Sequence, residues 1–312
     1  MSSPISGTAP APAPWWAGSG ASSSSRAEPA ADTGDLARVG REGRLRLGFA
    51  RRGPRTVLVE RRFTLPLQAL EPVELDASGA AVLTLLNPTG GLLGGDDLET
   101  VVHLGAGSHV CLTTPSATRV YRTAGAPARQ RLTAHVGESA TLEYLPDHLI
   151  PSPGARLVQS TEILLAATAT ALLLDAWAVG RLARGEAWEF GRLDIALIAR
   201  DGRGPLLHDR AVLDGRPRWA EMGGAEGRGY VATLAVLAPA RAAWREVEEA
   251  LLAALAPVPA ETLHGVTRLG RGGVLARILA PSAPALQHAV RAVWAAARRS
   301  LLGLPPLDLR KL

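Results

Sequence analysis

The stretch Asn87-Pro88-Thr89-Gly90-Gly91-Leu92-Leu93-Gly94-Gly95-Asp96-Asp97-Leu98 separates two apolar runs, Ala81 to Leu86 and Leu98 to Leu104. Both runs have the length and composition of strands. Glycine loses more backbone freedom on folding than any other residue. The pairs Gly90-Gly91 and Gly94-Gly95 therefore point to backbone that takes positive φ or lies against a neighbour. A phosphate loop needs Gly-x-x-x-x-Gly-Lys-Ser/Thr, and no lysine follows. The dinucleotide pattern Gly-x-Gly-x-x-Gly is absent, no helical pattern follows the glycines, and Asp96 and Asp97 repel phosphate. The local signal favours a structural turn between strands.

Strand signals spread outward from this turn. On the N-terminal side, Leu45 to Phe49 and Thr56 to Glu60 flank a turn at Gly53-Pro54. On the C-terminal side the runs are 108–113, 130–136, 140–145, 157–165, 170–179, 188–199, 206–213 and 229–237. Strands at roughly ten-residue spacing predict a large, mostly β domain, as a sandwich, barrel or solenoid. Two helices are expected in the C-terminal half. Arg241 to Ala256 lies between Pro239 and Pro257. Ala285 to Leu302 repeats apolar residues at helical spacing and meets Gly303 as a C-cap. A hairpin, Glu261–Leu269 with Gly273–Leu279, is predicted between them.

Residues 1 to about 40 read as a low-complexity Ala/Pro/Ser tail, broken only by Trp15-Trp16, and 41–312 as one β-rich domain. The 312 residues suffice for a sizeable core. The net charge of +5 comes from scattered arginines, without a polybasic run or interleaved aromatics, so nucleic acid is not expected. The single cysteine, Cys111, excludes an intramolecular disulfide framework and a multi-cysteine metal cluster. No apolar stretch reaches about 18 residues and no secretory signal is evident, so the expected location is cytoplasmic and away from membranes.

A search for chemistry finds turns and scattered carboxylates. The histidines His103, His109, His135, His148, His208, His264 and His288 form no helical zinc pair. Glu143-Tyr144-Leu145-Pro146-Asp147-His148 gathers two carboxylates and an imidazole. A β-rich hydrolase or sugar-active enzyme using Glu143, Asp147 and His148 is one reading, and a turn around Pro146 is the other. Gly180-Arg181-Leu182-Ala183-Arg184-Gly185-Glu186 reads as a salt-linked turn or a partner-facing loop. No Gly-x-Ser-x-Gly elbow exists, and Ser116 has no base placed to activate it. An anion-binding module built on the glycine loop is a third, weaker reading.

Taken together, the segments resemble the urease accessory protein D family (UreD, called UreH in some species). The resemblance is carried in order by Asn87–Asp96, Leu112–Arg122, Leu142–Pro151 and Gly180–Glu186. The final helix adds Val293-Trp294 and Arg298-Arg299. It implies a non-enzymatic cytoplasmic scaffold with stacked, β-helix-like sheets and two α-helices, without a permanently bound cofactor. It further implies that the scaffold binds UreF, recruits the GTPase UreG through UreF, docks on apo-urease, and helps deliver Ni²⁺ through an internal tunnel. Gly90, Gly91, Gly94 and Gly95 match the family's glycine loop. Asp96, Glu143 and Glu186 match acidic positions and are the candidates for transient Ni²⁺ contact, since carboxylates hold it more weakly than histidine or thiolate. Pairing with arginines such as Arg119 and Arg181 is the plain alternative. The N-terminal tail, the entry region Arg61–Pro66 and the ending Leu307–Leu312 depart from the family pattern.

Overall fold

Successive strands pass back and forth between two sheets, so that each turn of chain stacks on the one before. The computed structural model describes residues 41–309, apart from Arg216 and Met222. The tail with Trp15-Trp16 lies outside the described residues.

A hairpin opens the fold: β1 (Glu42–Arg52) and β2 (Arg55–Thr64), followed by the short β3 (Gln68–Ala69). The coil then begins. Its first turn is β4 (Ala81–Leu86), the glycine loop and β5 (Asp97–Leu104); the second is β6 (His109–Thr113), β7 (Thr118–Val120) and β8 (Ala128–Val136). The third turn is β9 (Thr141–Leu145), β10 (Leu149–Pro151) and β11 (Arg156–Leu165). The fourth is β12 (Thr170–Ala178), the small hairpin β13 (Gly180–Arg181) and β14 (Glu186–Ala187), then β15 (Arg192–Asp201). Ala81 pairs with Val110, Val110 with Leu142 and Leu142 with Ala171, all in parallel, so one turn takes about thirty residues. β5, β8, β11 and β15 stack in parallel the same way. The domain is thus a β-solenoid, one of the three architectures the strand spacing allowed.

Antiparallel strands close both sheets. β1 joins β5 in parallel and β2 covers it; β16 (Gly204–Asp214) covers β15, completing a seven-stranded sheet. In the other sheet β17 (Tyr230–Leu237), β19 (Gly273–Ala280) and β18 (Leu263–Arg268) extend outward from β12. Antiparallel edges let the parallel stack end without a long crossover.

Alternation along the strands builds two cores. Leu83, Leu112, Leu142, Leu173, Val102, Ala134, Ile163 and Leu197 fill the space between the sheets. Val82, Cys111, Leu172, Val236 and Ile278 face the other way and are covered by α1 (Arg245–Leu255) and α2 (Ala283–Ala297). α1 buries Val247, Leu251 and Leu255, one stripe at helical spacing. It starts four residues later than expected because the preceding segment makes its own turn. There the Trp244 indole donates to the Arg241 carbonyl at 3.0 Å, with the Arg241 guanidinium over the ring. α2 is capped by Ser282 and carries Pro284 in its first turn. It continues as a π-helical turn, Arg298–Leu302, ended by Gly303 in the left-handed conformation. The strand expected from Trp188 begins only at Arg192. Trp188 has φ +64° and donates its backbone N–H to Val179, closing the β13–β14 loop first.

Candidate functional site

The glycine loop is held by the turn of coil beneath it. Leu92 donates to the Arg119 carbonyl at 2.8 Å and accepts from Tyr121 at 2.9 Å, tying the loop to the end of β7. A Cβ on Gly91 would lie 2.5 Å from the Arg119 carbonyl oxygen and 2.7 Å from the Tyr121 ring, so only glycine allows this approach. Asp96 accepts from the Leu93 N–H at 2.8 Å and closes the turn. Burial pushes its carboxyl up; the Leu93 N–H and the Arg41 charge offset part of that rise. A cavity of about 120 Å³ lies between this loop and residues 114–118, and reaches Thr100, Gln130 and Tyr144 inside the coil.

Further along the interior the apolar filling is broken by a polar lane. Asp175 alternates with Leu173 and Trp177 on β12, so its carboxylate points between the sheets. It accepts from Gln159 Nε2 at 3.2 Å. Burial drives its pKa up to about 7; repulsion from Asp209 adds to the shift, while Gln159 and Arg277 oppose it. Burial and the Asp175 charge together raise the Tyr144 phenol. Asp209 pairs with Arg277 at 2.8 Å at the far side of the lane. Asp175, Gln159 and Gln130 are half-buried, although the residues two positions away on the same strand face are buried. A half-buried carboxylate with one hydrogen-bond partner suits a weak cation contact.

Glu143 lies on the opposite face of its sheet. In register between Cys111 and Leu172, it points at the helices, away from the interior. Both oxygens are engaged. Trp294 Nε1 donates at 2.6 Å, His109 Nε2 lies 2.7 Å away, and Arg298 makes an ion pair. The same guanidinium reaches Asp76 at 2.6 Å and donates through Nε to the Pro305 carbonyl at 2.9 Å. Glu143 and Arg298 are 0% exposed. Burial would raise the Glu143 carboxyl, but the His109 hydrogen bond and the Arg298 and His109 charges hold it below the usual range. This clamp joins the sheet, the last helix, the strap before β4 and the C-terminal turn.

The remaining motif residues are separate from both places. Glu186 forms a two-point ion pair with Arg181 across the β13–β14 hairpin. Asp147 donates its backbone N–H to Thr114 Oγ1 at 2.8 Å and, with His148, lines a groove of about 760 Å³ against α2 and residues 306–309. His148 packs edge-on to Tyr230, and burial lowers its pKa. Glu143 thus does not share a free site with Asp147 and His148, and the hydrolase reading lacks its convergence. Among the described residues no group of three or more His, Cys, Asp or Glu side chains is placed to hold a metal ion. None of their helices is long and apolar enough to cross a membrane. Asp175 was missed as a site residue; its signal was a lone carboxylate inside the apolar run Ala171–Val179.

The family model described as UreD urease accessory protein matches residues 41–311. The chain belongs to the UreD urease accessory protein family. Among curated relatives, the UreD of Dechloromonas aromatica (strain RCB) is 37% identical over 264 residues, covering 84% of this chain and 90% of its own. The UreD of Deinococcus radiodurans is 36% identical over 280 residues, covering 88% and 97%. That of Mycolicibacterium gilvum (strain PYR-GCK) is 38% identical over 245 residues, covering 77% and 85%. The stretches that carried the resemblance to UreD are those that build the coil's corner at Gly91, the strand of Glu143 and the helix of Arg298.

Proposed function

We propose that this UreD-family chain is a non-catalytic scaffold for inserting nickel into apo-urease. It recruits UreF, and through UreF the GTPase UreG. Ni²⁺ enters beneath the glycine loop, near Asp96, and passes along the interior lane. The carrying observation is Asp175: a half-buried carboxylate set among apolar rows inside a solenoid, hydrogen-bonded to Gln159 and with its pKa raised by burial. An oxygen ligand of that kind holds Ni²⁺ weakly enough to release it. The reading assigns the conduit contact to Asp175 in preference to Glu143 and Glu186, whose oxygens already carry ion pairs.

The test is urease activity and nickel content in cells carrying the urease operon, with this chain deleted and then restored. Deletion is expected to leave nickel-poor, inactive urease. Restoring the chain with Asp175→Leu is expected to keep UreF and UreG co-purifying with it while urease stays nickel-poor. Normal maturation without the chain refutes the scaffold role; normal nickel content with Asp175→Leu refutes the conduit alone.

A further inference from the structure

The outer face of the seven-stranded sheet, turned away from the interior lane, carries two histidines in register. His103 of β5 pairs with His135 of β8, and their rings stack with centroids 4.5 Å apart and planes 13° from parallel. The row continues through β1 and β2, where Gly48 pairs with His103 and Glu60 with Gly48. Gly48 leaves a gap in that row. Glu60 fills it: its Oε2 lies 3.5 Å from where a Gly48 Cβ would stand. On the other side the register partner of His135 is Leu164; Glu162, two residues before it on the same face, is in an ion pair with Arg200 at 2.8 Å and its charge reaches His135. Arg46 completes the charges near His103, and Arg62 pairs with Glu60 at 3.3 Å.

We propose that His103 and His135 form a two-imidazole site for a borderline divalent cation of the Ni²⁺, Cu²⁺ and Zn²⁺ class, with Glu60 as the nearest carboxylate and water in the remaining positions. Imidazole nitrogen suits these ions, and it must be neutral to bind them. Parallel strands set the side chains about 4.8 Å apart. One ion at about 2.1 Å from each nitrogen needs the two nitrogens roughly 3–3.5 Å apart, so binding requires the rings to tilt out of their stack. The site does not depend on the interior conduit, because it lies on the other face of the sheet.

The test is Ni²⁺ titration of the full chain, purified without a histidine tag, by equilibrium dialysis and calorimetry at pH 7.5. Wild type is expected to bind one more Ni²⁺ than His103→Asn/His135→Asn. His135→Asn alone is expected to weaken that event by about tenfold or more, and Glu60→Gln by a smaller factor. His264→Asn, on the other sheet, should change nothing. With Cu²⁺ as probe, electron paramagnetic resonance should show coupling to two nitrogens in wild type and lose it in the double variant. Both histidines lie on the outer surface, so an unchanged unfolding midpoint is expected and checks the fold of each variant. Equal stoichiometry and affinity in wild type and the double variant overturn the proposal.

Discussion

Arg298→Met is the perturbation that tests the buried clamp most sharply. Arg298 is fully buried, pairs with Glu143 and Asp76, and donates to the Pro305 carbonyl. Methionine keeps most of the stem's packing and removes the charge. Glu143, with no exposed surface, is left with His109 and Trp294 but no fixed cation. Removing one partner of a buried pair costs about 3–5 kcal/mol, because the other charge stays desolvated. For a domain of this size that is a fall of roughly 6–20 °C in the unfolding midpoint. Glu143→Leu in the same chain should recover much of it, since position 143 stands in register between Cys111 and Leu172 in an apolar column. The assay is thermal unfolding of the four members of the double-mutant cycle at pH 7, with a coupling energy above about 1 kcal/mol expected. The pH dependence has a definite sign. The depressed Glu143 carboxyl gives wild type stability that is present above the unfolded-state value and lost as pH falls through the folded-state value. In Arg298→Met the same carboxyl takes up a proton more readily, so the gap between variant and wild type should narrow in acid. A loss below about 1 kcal/mol for Arg298→Met, or strict additivity in the cycle, would mean that Arg298 does not hold the buried Glu143 charge.

The other predictions concern the lane, the corner and the surface hairpin. Between about pH 4 and pH 7 the folded Asp175, with its pKa raised from 3.8 to about 7, holds a proton the unfolded chain has released. Stability should therefore fall as pH rises through that window, and Asp175→Asn should flatten the fall; unfolding midpoints across it decide. Gly91→Ala forces a Cβ against the Arg119 carbonyl and the Tyr121 ring, and is expected to cost about 1–3 kcal/mol by denaturant unfolding. Glu186→Gln loosens a pair in which both side chains are partly exposed, and should cost less than about 1 kcal/mol in the same measurement.

Much of the architecture was legible in the chain. The recurrence of strand signals, the late helices and the glycine corner follow from local rules: alternation, helical spacing, proline and glycine punctuation. Cys111 reads as packed and is packed. Misplaced boundaries trace to single local events that a pattern does not carry. The Trp244 indole turns back on Arg241 before α1, and Trp188 takes positive φ before β15.

The candidate site was legible only in part, and the reason is geometric. The sequence alone determines that Glu143 and Asp175 sit in strands, that alternation gives each strand two faces, and that the chain resembles UreD. It does not say which face is which. In the sheet of β9 and β12 both faces are buried, one against the opposite sheet and one beneath the helices, so neither reads as polar. Only the tertiary structure decides that Glu143 faces α2 and meets Arg298 from 155 residues away, while Asp175 faces the lane and meets Gln159. The same limit hid the His103–His135 pair: two lone histidines become neighbours only when parallel stacking brings successive turns of the coil into register.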